Sequence, residues 1–159
     1  DADLRKDGFD LIRPGIEAVY AEGAAWLSRA SSKNTDDAYH EWRKRVQQHW
    51  RHMQLLQAAW PREMRLRVEV AQTVSELLGQ DHDLAVLDDK LRRDGRCHGS
   101  AAAVRAARAL CREQQQQLRA AAVREGTPLF AEHPSDLSKR INRYWRAAAR
   151  EKAHRKSQG

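Results

Sequence analysis

No stretch of this chain approaches the ~20 consecutive apolar residues that a membrane-spanning helix needs, and no signal peptide opens it. Cysteine is nearly absent. Cys97 and Cys111 are the only two in 159 residues, too few for a disulfide framework, and free thiols fit a reducing compartment, the cytoplasm. Cys97-His98 is too short a doublet to make a metal site, and no cofactor is expected. The four prolines and eight glycines are sparse and sit at plausible helix boundaries. β-Branched residues are few and never alternate over a strand's length, which excludes a sheet. Asp1, not methionine, opens the chain, which suggests a piece of a longer protein.

What remains is helical periodicity. A first helix is predicted from about Phe9 to Ala30, with Leu11, Ile12, Ile16, Val19, Tyr20, Trp26 and Leu27 on one side and Pro14 in its first turn. Ser31 to Asn34 form a connector. Asn34 or Thr35 caps a second helix, which carries Asp36 and Asp37 in its positive first turn and runs to about Ala59. Pro61 opens a third. Leu66, Val70, Leu77, Leu84 and Leu91 hold one phase across Gly79, so a single helix to about Arg93 is expected, ended by Asp94-Gly95. A fourth runs from about Ser100 to Glu125, with Val104, Ala107, Leu110 or Cys111, and Leu118 inward, and Gly126-Thr127-Pro128 marks a turn. The last helix starts at Pro134 or Ser135 on an apolar face of Leu137, Ile141, Tyr144 and Trp145, and residues 152–159 form a basic, frayed tail. The fold class is all-α, an antiparallel bundle of long helices in one domain over residues 1–159.

Residues 40–51 write two surfaces into one helix. Tyr39, Trp42, Val46, Trp50, Met53 and Trp60 recur at helical spacing as an apolar face, so the tryptophans are expected in the core. His40, Arg43, Gln47 and Gln54, with Lys44 and Arg51 just behind, run along the adjacent flank, and the one acid, Glu41, is expected to point elsewhere. Such a row is suited to a polyanion. The whole chain leans the same way: 29 Lys and Arg stand against 22 Asp and Glu, for +7 and a pI near 9.8. Arginine dominates, and its planar fork matches phosphate oxygens.

His40-Glu-Trp-Arg43-Lys44-Arg45-Val46, Leu78-Gly79-Gln-Asp-His82-Asp83-Leu84, Leu129-Phe130-Ala-Glu132 and Arg140 to Tyr144-Trp145 together resemble the CHAD family, the conserved histidine α-helical domain. The likeness runs from about residue 10 to 150, with the two histidine blocks about forty residues apart. It implies one half, the C-terminal one, of a pseudo-symmetric two-bundle domain whose basic channel binds inorganic polyphosphate without chemistry. It also implies the N-terminal half or a second copy as partner, a CYTH-type triphosphatase domain in the same protein, and an association with polyphosphate granules. The residues that match as phosphate contacts are His40, Arg43, Lys44, Arg51, His82, Arg112 and Arg140. Gln47 and Thr127 depart from the family, which places basic residues there.

Alternatives follow from the same residues. His52, His82-Asp83 and Asp136 fall in the order of a metal-dependent phosphohydrolase, which needs three or more converging ligands. Charge alone would serve a binder of nucleic-acid phosphates, although no helix-turn-helix, zinc module or RNA-binding sheet is written here. Arg105, Arg108, Arg112 and Arg119 also read as a solvated face, and Asp83 as an ion-pair partner of a neighbouring arginine.

Overall fold

The computed structural model describes residues 8–95 and 99–158, and every regular element among them is helical. None of the described helices is long and apolar enough to cross a membrane. The Cys97-His98 doublet lies outside the described residues. The helices are α1 (Gly8–Lys33), α2 (Asp36–Leu56), α3 (Pro61–Asp94), α4 (Ala101–Leu129) and α5 (Pro134–Ser157), with one 3₁₀ turn at Gln57–Ala59 after α2. α1 to α4 pack in sequence as antiparallel neighbours, and α5 returns against α1 and the 3₁₀ turn.

Local chemistry sets the boundaries. Thr35 caps α2 by accepting a hydrogen bond from Ala38 N, so the connector expected from Ser31 shrinks to Asn34-Thr35. Ser100 caps α4 in the same way, through Ala103 N. Pro14 lies in the second turn of α1, close to its start. α4 passes straight through Gly126-Thr127-Pro128, which therefore is not a turn. The helix survives there for three reasons. A Cβ on Gly126 would stand 2.6 Å from the Trp42 ring, so glycine permits the approach of α2. Thr127 Oγ1 donates back to Val123 O, and Pro128 falls in the final turn, closed by Phe130 N donating to Gly126 O. α5 runs to Ser157, with residues 151–157 exposed.

The core is built from Phe9, Ile16 and Tyr20 of α1, the α2 seam, Met64 to Leu78 of α3, Leu118 and Ala122 of α4, and Leu137, Ile141 and Trp145 of α5. Several inward assignments change. Leu11 is 85% and Leu66 67% exposed, and Ile12 and Trp60 also face solvent, while of the pair Leu110 and Cys111 it is Cys111 that turns inward. α3 does run unbroken through Gly79, but it buries Met64, Val68, Ala71, Val74, Ser75, Leu78 and Asp81, not the leucine ladder. Leu77 and Leu84 are only half-buried. Trp42 and Val46 are fully buried, and Trp50 packs half-buried against them.

Two polar clusters lock the helices. Arg119 is 8% exposed, not part of a solvated face. Its guanidinium bonds Asp81 of α3 at 2.7 Å, reaches Asp36 at the start of α2, and lies over the Tyr39 ring. Tyr20 Oη donates to Leu129 O and accepts from Glu132 N, while Arg67 and Arg140 clamp the Glu132 carboxylate at the α4–α5 corner.

Candidate anion-binding site

Antiparallel packing of α2 on α3 sets His40 opposite His82 and Arg43 opposite Gly79. The two imidazoles stack at 4.7 Å between centroids, tilted by 32°. A Cβ on Gly79 would lie 3.8 Å from Arg43 Nε, so the guanidinium rests directly over the α3 backbone. His40 Nδ1 and Arg43 Nε are both buried, and neither has a hydrogen-bond partner. Buried polar atoms left unpaired in this way cost free energy unless something fills them. Burial pushes the His40 pKa below its ordinary value, and His82, Lys44 and Arg43 push it further the same way, against the opposing pull of Glu41. The His40 ring is therefore largely neutral at neutral pH in the free protein, where Arg43 carries the fixed charge.

The remaining matched residues divide. Lys44 sits one residue on from Arg43 and pairs with Glu41 at 2.6 Å, so Glu41 does not point away from the flank. Arg51 stands exposed two turns further along α2. Arg112 is exposed and contacts Asp88 at 3.4 Å; Asp88 lies six positions past His82, about 9 Å along α3. Arg140 is held by Glu132 at 2.6 Å and Glu63 at 3.7 Å. Glu63 is 19 positions from His82, which puts Arg140 roughly 28 Å down the bundle. The structure thus gathers His40, Arg43 and His82, continues the row through Lys44 and Arg51, and sets Arg140 at the other end.

The four phosphohydrolase residues are not gathered. His52 lies twelve positions beyond His40, roughly 18 Å along α2, in an apolar groove with Leu11, Ile12 and Ile16. Asp136 opens α5 and pairs with Lys139.

A family model, the CHAD domain, matches residues 2–92. The chain belongs to the CHAD family. The matched segment contains α1, α2 and nearly all of α3, and so both helices that carry the CHAD histidines. No curated protein and no solved structure matches.

Sequence reading missed three features around this CHAD site. Arg119 with Asp81 pins the start of α2 to α3 one residue before His82. Arg67 with Glu132 fixes the far corner. His49 is wholly buried between Tyr20 and Phe130, with ring centroids 5.3 Å from each and no partner for either nitrogen. Only His49 left a signal, its three-residue step from Val46 on the buried seam. The two ion pairs join residues 38 and 65 positions apart, which no local pattern reveals.

Proposed function

We propose that the α2–α3 edge is a non-catalytic binding site for inorganic polyphosphate, held by His40, Arg43, Lys44, Arg51 and His82, with Arg112 reaching in from α4 and Arg140 meeting a long chain further down. The unpaired His40 Nδ1 and Arg43 Nε beside His82 carry this reading, since they leave nitrogens without a partner where α2 and α3 present two imidazoles together. Repeated phosphates suit a repeated helical row, and the half-buried Arg43 binds more strongly than its exposed neighbours because water competes less. Family membership supports the same reading. The site would work in the cytoplasm, beside polyphosphate granules or a CYTH-type triphosphatase domain of the same protein. An upstream half-domain or a second copy would cover its open side; sedimentation with that segment supplied in trans tests this, and a lone monomer that binds at full strength argues against it.

The decisive experiment is calorimetric titration with polyphosphate at matched ionic strength. Each well-formed charge-assisted contact is worth roughly 1.5–3 kcal/mol. Arg43→Ala with Arg51→Ala should therefore weaken binding at least tenfold. Arg155→Ala with Lys156→Ala, on exposed α5 residues, should leave it nearly unchanged. The opposite ranking would move the site off α2.

A further inference from the structure

We infer that His40 and His82 form one proton-coupled unit of this site: an anion settling against the pair draws protons from solvent onto the imidazoles, and neither ring takes up its share independently of the other. The inference rests on the polyphosphate reading and adds its regulation by pH.

The geometry makes the coupling. With centroids 4.7 Å apart, two imidazolium rings would repel strongly in the half-buried cleft between α2 and α3. The groups facing His40 are Glu41, Arg43 and Lys44 on its own helix and His82 on the helix packed against it. Three of these four are cationic or become so, and the carboxylate of Glu41 is already engaged by Lys44. Without a ligand the cleft therefore disfavours a second charge, and the buried Nδ1 of His40 stays unpaired. A phosphate oxygen reverses the balance, because negative charge beside the two rings offsets their repulsion and accepts from the protonated nitrogens.

Linkage fixes the direction. The free His40 pKa lies below 6.5 and the bound anion raises it, so between those two values the complex holds more protons than the separate partners. Affinity then rises as pH falls through that window and levels off on either side of it. Coupling adds a second signature. If His82 is replaced by glutamine, His40 loses its repelling neighbour, and the bound anion protonates it without competition from a second ring. Each single variant therefore keeps more than half of the uptake of the pair.

The test uses the full chain and long-chain inorganic polyphosphate, whose titrating end groups are few beside its interior phosphates. Titration at pH 7 in buffers of different protonation enthalpy gives the number of protons taken up. We expect about one proton per occupied site in the wild type, and clearly more than half of that in each of His40→Gln and His82→Gln. Ring-proton NMR of the free His82→Gln protein should show the His40 midpoint moved upward. Binding with no proton uptake would overturn the inference, as would variants that each retain half of it, or an unmoved His40 midpoint. A wild type that binds no polyphosphate at any pH would instead defeat the polyphosphate reading, and the NMR measurement would still decide whether the rings are coupled.

Discussion

His49 shows what one polar residue in a core does to a protein's response to acid. Its ring is completely buried, and that burial, reinforced by the charges of Arg67 and His52, holds its pKa at about 3. In an unfolded chain the same imidazole titrates near 6.5. Below pH 6.5 the unfolded state therefore binds the extra proton, and stability present above that pH is lost as pH falls toward 3, by up to about 1.4 kcal/mol per unit. His49→Leu should remove this term. Urea unfolding of the wild type and the variant at pH 7 and pH 4.5 should show the gap between the two pH values narrowing by about 2.5 kcal/mol. An unchanged gap would mean that the acid sensitivity lies elsewhere. His49 was legible in principle, since the buried seam of α2 runs Tyr39, Trp42, Val46, His49, Met53, Leu56 in alternating steps of three and four. Residue type obscured it: the aromatic Trp50 next door drew the assignment and is only half-buried.

Among the elements, α3 and α4 explain most of the difference between pattern and structure. Both helices were legible as helices, from capping residues and from the lack of any break at Gly79. The face of α3 was not, because a seven-residue ladder drifts about 20° per heptad around a straight helix. Leu66, Leu77 and Leu84 fall beside the core, not in it, and small residues, Ala71 and Ser75 among them, take the buried line and let the neighbouring helices approach. The buried Asp81–Arg119 pair then fixes how α4, α3 and the start of α2 meet. Burial pushes the Asp81 carboxyl pKa up, and bonds from Arg119 and Gln115 offset part of that. Arg119→Ala leaves a buried carboxylate without its cation and should cost about 3–5 kcal/mol in chemical denaturation. Asp81→Leu combined with Arg119→Met, which leaves no orphan, should recover most of that loss; a double variant as unstable as the single one would show that the pair contributes more than mutual neutralisation. Gly126→Ala tests the α2–α4 contact separately. Its Cβ has no room beside Trp42, so the overpacking cost of about 1–3 kcal/mol should exceed the roughly 1 kcal/mol gain in helix propensity.

At the scale of the whole molecule the question is whether the positive charge is a field or a site. Much of it is already spoken for: Arg67, Arg108, Arg119 and Arg140 each hold a carboxylate of another element, and those pairings were hidden from any local reading. The α2 row was legible because it needs only one helix and one period to assemble it. A net charge of +7 would attract any polyanion loosely, wherever it touched. Salt dependence separates the two cases. Each phosphate neutralised on a flexible polyanion contributes roughly 0.7 to the slope of log affinity against log salt. Arg43→Ala with Arg51→Ala and Arg155→Ala with Lys156→Ala each remove two charges, so both take +7 to +5. A diffuse field would respond equally to either change. A site on α2 would not: the first pair should flatten the slope by about 1.4, and the second should leave it within error of the wild type. Titrations across a fivefold range of salt measure this directly, and equal slopes in the two variants would show that the chain binds polyanions by its overall charge alone.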